Sequence, residues 1–391
     1  MTAIVDLPSF IDTLDEAGQL ARINRTVSLE YELADVAASL ARTGTGAGLF
    51  NRVEGSPWPV FCGGVASHRR AAIALGCDEG ETVDVMERVL DPANGIPPVS
   101  VASAGWEANT VRGDDLDTAL LPIPTHSRGD GGAFITGAVT VARDPISGRG
   151  NLSYNRMLRL DEHTFGFNVN EWRDVGTFWK SRDDPDAPFP IALAIGLDPA
   201  IMIAAGVKTP VDELFIAGAI RGRGIEVRQG LTIDVDIPAA AEIVVEGLLH
   251  PAERRSEGPL AEFHGYHGEA WNSPTLEVTA ISWRDNPIYQ TIIPGWYEHV
   301  YLGNVLPREP LLRRFVRHLD PTADVHIPAY GNGFLAVVQI ERDNPGTPKN
   351  LAMAAMAAHI NIRNVIVVDR DVDIHQPTEV QWALTNRVHW I

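Results

Sequence analysis

Cysteine, long apolar runs and positive charge are all scarce in this chain. Of its 391 residues only Cys62 and Cys77 are cysteines. That is too few for a disulfide framework, so we expect a reducing compartment, the cytoplasm. The longest apolar run, residues 190–207, is interrupted by Asp198-Pro199 and is shorter than the roughly 20 residues that a membrane-spanning helix needs. The first residues also lack the basic start and apolar core of a signal peptide, so we expect no membrane association.

The charge balance restricts the partners. The chain has 32 Lys and Arg against 51 Asp and Glu, a formal net charge of −19. No basic cluster offsets this charge, which argues against nucleic acid and against an anionic membrane surface as partners. An acidic small molecule is repelled at long range, although salt screens that repulsion beyond about 8 Å. Such a ligand must therefore be held by individual arginines, lysines or a metal ion.

The sequence pattern divides the chain into three units. Residues 1–105 alternate helical and strand patterns and predict a small α/β domain. Residues 106–305 carry many short strand patterns, among them 150–160 and 231–235, with helical patterns only at 199–205 and 211–219; this density of strands predicts a barrel or two packed sheets. Residues 306–391 alternate again and predict a second α/β domain.

Several polar motifs are compatible with chemistry, although each alone has an ordinary structural explanation. Asp130-Gly131-Gly132 precedes a strand and is typical of a turn. Asn151 and Arg156 follow a Gly-Arg-Gly turn on the next strand pattern. Glu213 lies in the first turn of a predicted helix, where acidic residues complement the helix dipole.

The most unusual stretch places Glu257 and Glu262 five residues apart, across Gly-Pro. Burial raises the pKa of a carboxyl group, and two nearby carboxyl groups titrate apart, so one can carry a proton while the other stays ionised beside an arginine. A solvated loop explains the pair equally well at this point. His264 and His267 suggest a metal site only weakly, and we favour a structural role for them. The chain has no Walker, dinucleotide-binding or serine-hydrolase motif.

Taken in order, these motifs resemble the UbiD family of decarboxylases, which use prenylated FMN. The resemblance runs through Asp130-Gly131-Gly132, the segment 151–156 and the stretch 257–266, and continues into Val367-Val368-Asp369 and Val380-Gln381-Trp382-Ala383. Several spaced motifs in one order are far more specific than any single motif.

The resemblance implies a role for particular residues. Asn151 and Glu213 correspond to ligands of a divalent metal at the cofactor phosphate, with Mn²⁺ expected and K⁺ as a further candidate. Ser153, Tyr154, Asn155 and Arg156 correspond to the segment that lines the flavin, and Arg156, Glu257 and Glu262 to the catalytic network. Many members have a histidine metal ligand where this chain has Arg173-Asp174, so we expect Arg173 to contact the cofactor phosphate instead.

The resemblance also implies an architecture: an α/β protein whose central split β-barrel, of the flavin-reductase type, is flanked by N- and C-terminal α/β units. It implies assembly through the C-terminal domain into a homodimer or higher homo-oligomer, and a flavin prenyltransferase as the source of the cofactor. Family members usually continue beyond the position of Ile391, so we expect a shortened C-terminal unit.

The first functional hypothesis is therefore an enzyme that reversibly decarboxylates an aromatic, heteroaromatic or α,β-unsaturated carboxylic acid without oxidation. Arg156 would position the substrate carboxylate, Glu257 would hold Arg156, and Glu262 would donate the proton that replaces CO₂. The alternative is a non-catalytic carrier of a flavin phosphate, or an accessory subunit. A carrier has no need of a proton donor, which favours the enzyme. Candidate substrate-pocket residues are Phe263, Ile293, Trp296 and Tyr297.

The spacing of Asn151 and Arg156 carries a geometric condition. Residues an odd number apart on a regular strand face opposite sides of the sheet. For one side chain to reach a metal and the other a substrate, the strand must end or bulge between them. We expect the irregularity at Asn155, because asparagine tolerates unusual backbone angles.

Overall fold

The computed structural model of the chain describes residues 3–295, 297–341 and 344–387. Its first region comprises α1 (Leu7–Glu16), β1 (Leu20–Ile23), α2 (Glu32–Thr43), β2 (Ala47–Phe50), β3 (Val60–Cys62), α3 (His68–Leu75) and α4 (Thr82–Val89). The side chains of Asp6 and Ser67 cap the N-termini of α1 and α3. Gly44 and Gly76, both left-handed, end α2 and α3.

The middle region supplies most of the strands. It comprises β4 (Val99–Ser100), β5 (Asn109–Val111), β6 (Phe134–Ile135), β7 (Val139–Arg143), β8 (Gly150–Tyr154), β9 (Met157–Arg159), β10 (Thr164–Phe167), α5 (Asp174–Lys180), β11 (Phe189–Ile195), α6 (Pro199–Ala205), α7 (Glu213–Arg221), β12 (Glu226–Gln229), β13 (Asp236–Pro238), β14 (Ile243–Glu257), β15 (Trp271–Trp283), β16 (Tyr289–Gln290) and α8 (Tyr297–Val300). A π-helical turn, Tyr301–Val305, continues α8.

A curled sheet dominates this region. Nine of the strands within the described residues form it, in the order β6-β9-β10-β15-β14-β11-β7-β8, with β5 paired to β15. The two long strands β14 and β15 shift register at Glu246/Gly247 and again at His250/Arg254. Such irregularities bend a strand pair and increase its twist. The fold is thus α/β with a curled half-barrel sheet, and its description as a split barrel of the flavin-reductase type stays a prediction.

The C-terminal region returns to alternating elements. These are α9 (Glu309–Arg317), β17 (Asp324–His326), β18 (Leu335–Ile340), α10 (Thr347–Ala358), β19 (Asn364–Asp369) and α11 (Pro377–Asn386). β17, β18 and β19 form one sheet, in which β18 and β19 run parallel across α10. A short pairing of β16 with β3 connects the middle region to the first sheet, and β4 joins β12 within the middle region. The unit bounds 1–105, 106–305 and 306–391 stay predictions.

The structure differs from the sequence prediction at two elements. Residues 231–235 form no strand, because the N–H groups of Leu231 and Thr232 donate to the carboxylate of Glu246 rather than to a neighbouring strand. Helix α5 was not expected. Its glycine, Gly176, weakens the helical pattern, yet no larger residue fits there, since a Cβ atom would lie 2.4 Å from Cα of Glu171.

Helix α6 supports the sheet from within the core. Each of its seven residues is buried, which explains why its sequence is apolar on all sides. It packs behind β8, and the Tyr154 hydroxyl of that strand donates to the carbonyl of Met202 at 2.7 Å. In the parts of the chain that the structure describes, no helix is long and apolar enough to cross a membrane.

Candidate active site

A cavity of about 520 Å³ opens between the curled sheet and the C-terminal region. Its wall is formed by β8 and the residues after it, the segment 168–175, the start of α7, the loop 260–262, α8 and the residues that lead into α9. All five residues expected at the cofactor lie on this wall: Ser153, Tyr154, Asn155, Arg156 and Arg173. So do Asn151, Glu213 and Glu262.

Arg156 joins the two glutamates singled out in the sequence. Its Nε donates to Oε1 of Glu257 at 2.8 Å and its Nη2 to Oε2 at 3.2 Å, a bidentate pair. Its Nη1 contacts Glu262 Oε1. Glu257 is fully buried and receives a further bond, from Asn168 Nδ2 at 2.8 Å. Glu257 and Glu262 follow Arg156 by 101 and 106 residues in the chain, and the structure brings the three ionisable side chains into one network.

Arg156 reaches the cavity because its strand is interrupted. β8 ends at Tyr154 and β9 begins at Met157, so Asn151 and Arg156 lie on different strands. This is the break that the odd spacing required. Asn155 does not adopt a positive φ; its side chain instead donates to the carbonyl of Asn168 at 3.0 Å, which fastens the break to the neighbouring segment.

Glu262 has surroundings that suit proton exchange. Burial raises its pKa above the usual value and the Glu257 charge adds to this, whereas Arg156 and His264 act in the opposite direction. The side chain still keeps 29% of its surface exposed. A carboxyl group that is largely desolvated and yet reachable by water can hold a proton near neutral pH and recover it from solvent.

A second polar pair lies on the same cavity wall. Glu213, the first residue of α7, is 1% exposed and accepts from Leu152 N at 2.8 Å. Burial raises its pKa to about 8. Asn151 Nδ2 lies 3.2 Å from Glu213 Oε2, while the buried Asn151 Oδ1 has no hydrogen-bond partner. An unsatisfied amide oxygen beside a desolvated carboxylate suits a hard divalent cation, which favours oxygen ligands.

Within the described part of the chain, no third acidic, histidine or cysteine side chain completes a metal site with this pair. Among the described residues, no group of three or more His, Cys, Asp and Glu side chains could hold a metal ion. Asp174 lies on the cavity wall, but its carboxylate is bonded to Arg149 Nη2 at 2.7 Å. A metal held by Asn151 and Glu213 would therefore need oxygens from water or from a bound phosphate, as Mg²⁺ sites commonly do.

Positive side chains gather on the cavity wall of this acidic protein. Arg173, Lys208 and Arg308 line it, next to the uncharged ring of His359. Burial lowers the pKa of Arg308 to about 10, and the Arg173 charge acts in the same direction. Burial also lowers the pKa of His359 to about 4, assisted by all three cations. Cations that repel one another in a shared cavity indicate an anion-binding site.

Three family models match consecutive parts of the chain. They describe the N-terminal, Rift-related and C-terminal domains of 3-octaprenyl-4-hydroxybenzoate carboxy-lyase, and they match residues 11–90, 99–297 and 300–391. The chain belongs to the UbiD family. It is an enzyme, a carboxy-lyase of the UbiD class.

Characterised UbiD relatives extend over nearly the whole chain. Anhydromevalonate phosphate decarboxylase of Methanothermobacter thermautotrophicus is 30% identical over 96% of this chain and 87% of its own length. Phenolic acid decarboxylase of a Streptomyces species is also 30% identical, over 98% of this chain and 84% of its own. An evolved dimeric form of the UbiD-class enzyme HmfF from Pelotomaculum thermopropionicum, solved with prenylated FMN, is 34% identical. It has a TM-score of 0.92 and is matched over 98% of this chain and 90% of its own.

Of the expected substrate-pocket residues, the three that the structure describes do not line the cavity. Phe263 stacks on Phe334 with ring centroids 5.3 Å apart, Ile293 is buried in one core cluster and Tyr297 packs against another. Trp296 lies outside the described residues. Large apolar residues more often fill cores than line sites, which explains the error. The apolar wall comes instead from Leu260, Ile292, Pro294, Leu302 and Leu311.

Several wall residues were not singled out in the sequence, among them Lys208 and His299. Arg308 and His359 lie in the C-terminal region and carry no motif, so only the tertiary fold brings them to the cavity. Burial lowers the pKa of His299 to about 4, and its Nδ1 accepts from Gly295 N at 3.2 Å, so its ring is neutral.

Proposed function

We propose that this UbiD enzyme reversibly decarboxylates an aromatic, heteroaromatic or α,β-unsaturated carboxylic acid with prenylated FMN as cofactor. The observation that carries the proposal is one cavity wall that bears Arg156 with its two carboxylates and also the Asn151–Glu213 pair. The substrate range follows that of the relatives, which are named for a phenolic acid and for anhydromevalonate phosphate.

The cavity fits the cofactor in chemical terms. When bound, prenylated FMN supplies the electron sink that no amino-acid side chain offers to a carbanion. Asn151 and Glu213 would hold a divalent metal, with Mn²⁺ expected, and the phosphate would meet that metal together with Arg173, Lys208 and Arg308. Ser153, Tyr154 and Asn155 would form the wall beside the ring system. A K⁺ ion, a flavin prenyltransferase as cofactor source and a homo-oligomeric state belong to the same proposal.

In the proposed reaction Arg156 binds the substrate carboxylate. The planar guanidinium matches a carboxylate better than a lysine would, and Glu257 fixes its orientation through two bonds. A substrate carboxylate at Arg156 adds a second negative charge near Glu262, and this favours the protonated form of Glu262. Binding thereby prepares the proton donor.

Glu262 then donates the proton that replaces CO₂. The bond between the carboxyl carbon and the substrate is broken, CO₂ leaves, and the proton of Glu262 goes to the carbon that carried the carboxylate. Glu262 becomes a carboxylate and pairs with Arg156, which has lost its substrate partner; their contact in the present structure supports this step. Water recharges Glu262 with a proton. In carboxylation Glu262 accepts the proton instead.

The test compares Glu262→Gln with Glu269→Gln. The second variant is a matched change of an exposed glutamate just after the loop that carries Glu262. Glutamine cannot supply the proton, so we expect the rate of CO₂ release by Glu262→Gln to fall at least about 100-fold, with unchanged flavin content per chain. Glu269→Gln should keep the rate. Near-normal turnover by Glu262→Gln would contradict the proposed role.

The non-catalytic carrier remains the second candidate. Asn151 and Glu213 would serve a carrier as well as an enzyme, so cofactor binding does not separate them. A panel of aromatic, heteroaromatic and acrylic-type acids, offered to the chain loaded with prenylated FMN, does. CO₂ release from any of these acids supports the enzyme, whereas a loaded chain that releases none from the whole panel favours the carrier.

A further inference from the structure

The loop that carries Glu262 is held from outside by the turn at Asp130-Gly131. Glu257 needs no such support, since it ends β14 and pairs there with Trp271 on β15. Glu262 lies beyond the end of that strand, in the loop 258–268. The position of its carboxyl group relative to Arg156 therefore depends on whatever fixes the loop.

Asp130 is a buried carboxylate aimed at this loop. Its side chain is fully buried and accepts from Ala261 N, next to Glu262, at 3.2 Å. It also accepts from Ser127 N at 2.7 Å and Ser127 Oγ at 3.1 Å, and lies 3.3 Å from His267 Nε2. Among the described residues no arginine or lysine forms an ion pair with it. A buried charge of this kind is retained only where its hydrogen bonds are all in place.

Gly131 adds a second hold on the same loop. Its N–H donates to the carbonyl of Pro259 at 2.8 Å. A Cβ atom at this position would lie 2.2 Å from the carbonyl oxygen of Gly258, so only glycine permits this approach. Asp130 and Gly131 thus contact the loop at two backbone sites between Glu257 and Glu262.

Hydrogen bonds within the loop couple the position of Glu262 to these two contacts. Glu262 N donates to Tyr266 O at 2.9 Å, and its carbonyl accepts from Gly265 N at 3.0 Å. Gly268 N donates to Leu260 O at 2.8 Å. The side chain of Leu260 is buried against Phe134 and Leu158, on the strands next to the turn. A displacement at Ala261 must therefore carry Glu262 with it.

We propose that Asp130 is a positioning residue for catalysis, which with Gly131 clamps the loop 258–268 and so places the Glu262 carboxyl group at Arg156. This inference rests on the proposed role of Glu262 as proton donor. A proton donor displaced by about 1 Å from its productive position can cost about 100-fold in rate. Substrate and cofactor binding, which use other side chains, should be retained.

The first experiment replaces Asp130 by Asn in the enzyme loaded with prenylated FMN. The amide keeps the size of the side chain, but only one of its two terminal atoms can accept, so either Ser127 N or Ala261 N loses its acceptor. We expect kcat to fall about 10- to 100-fold, KM to change less than about threefold and flavin content to stay constant. Gly131→Ala should give the same division between kcat and KM.

The control is Asp198→Asn, which weakens another buried carboxylate, bonded to Ala200 N at 2.8 Å and to Arg221. It should lower thermal stability without a selective loss of kcat. If Asp130→Asn leaves kcat unchanged, or lowers kcat only in proportion to the loss of folded protein as the control does, the inference fails.

A double mutant separates this inference from the proposed function. In a chain that already carries Glu262→Gln, Asp130→Asn should lower the residual rate less than about twofold, because there is no proton donor left to place. A full additional loss would mean that Asp130 acts on something else. If Glu262→Gln alone retains turnover, the proposed function fails instead, whatever Asp130→Asn does.

Discussion

The two glutamates that meet at Arg156 are not equivalent. Glu257 is fully buried, ends a strand and is bonded to both Arg156 and Asn168. Glu262 lies on a loop, has one contact with Arg156 and keeps 29% of its side-chain surface exposed. A group that must lose a proton and regain it in every turnover needs contact with water, and only Glu262 has it. The proposed division of roles rests on this difference in surroundings.

The raised pKa of Glu262 leads to a prediction about pH. Only protonated Glu262 can donate, and burial raises its pKa above the usual 4.5. With metal and cofactor saturating, kcat for decarboxylation should therefore be level at pH values below the pKa that Glu262 has in the substrate complex and fall about tenfold per pH unit above it. Initial rates of CO₂ release across the pH range give the profile.

The same group should act in the opposite sense during carboxylation or during exchange of the product proton with deuterated water, where Glu262 must begin ionised. Those rates should rise with pH through the pKa that Glu262 has in the product complex, which lacks the substrate carboxylate and therefore has the lower midpoint. A decarboxylation rate that rises with pH through its own midpoint would exclude Glu262 as the donor, while Arg156 could still bind the substrate.

At the scale of elements, the proposed metal pair depends on the close approach of β8 to the start of α7. Asn151 lies on β8 and Glu213 begins α7, which is capped by the Asp212 side chain. A Cβ atom on Gly150 would lie 2.2 Å from Asp212 Oδ2. A side chain at position 150 would therefore displace the Asp212 carboxylate, which caps the helix that begins at Glu213.

Gly150→Ala should consequently weaken metal binding. The added methyl group displaces the Asp212 carboxylate from the N-terminus of α7, next to Glu213, and loss of a group that supports a metal ligand typically costs about 10-fold or more in metal affinity. Titration of Mn²⁺ into the chain measures the change directly. Gly44→Ala is the control, because Gly44 ends α2 at φ +69° with nothing within 4 Å of its Cβ position. That variant should lose stability but not metal affinity; equal affinities for both variants would contradict the argument.

How far the sequence predicted these elements depends on how local their causes are. Helix α6 was predicted with its observed bounds, since it has a clear apolar pattern and a capping residue, Asp198, at its start. The break between Asn151 and Arg156 was predicted from strand periodicity together with the roles that the family resemblance implied for the two residues. The false strand at 231–235 failed because a carboxylate 15 residues away binds Leu231 N, and no local pattern reveals that partner.

At the scale of the whole molecule, the cavity belongs to more than one region. The middle region supplies Arg156 and the metal pair, while Arg308 and His359 come from the C-terminal region. The first region supports the cavity indirectly: Gly63 N and Val65 N donate to Glu298, the neighbour of His299, at 2.7 and 3.0 Å. A chain of charge −19 can bind an acid because its folding concentrates cations from distant segments at one place.

Stability of the whole fold should depend on a histidine behind the cavity wall. His126 is 5% exposed, its Nδ1 has no partner, and burial lowers its pKa from 6.5 to about 4. As the pH falls from 6.5 towards 4, His126 binds a proton in the unfolded chain but stays neutral in the folded chain. This one group should therefore lower the free energy of unfolding by about 3 kcal/mol across that window.

Replacing His126 by Gln removes that contribution, so the free energy of unfolding of the variant should fall less steeply than that of the parent between pH 6.5 and 4. Denaturant unfolding at several pH values measures both slopes. Val141→Ala, which empties a buried position without a titrating group, should lower stability equally at every pH and so keep the parent slope. Identical slopes for His126→Gln and the parent would contradict the prediction. They would mean that His126 binds its proton as readily in the folded chain as in the unfolded chain.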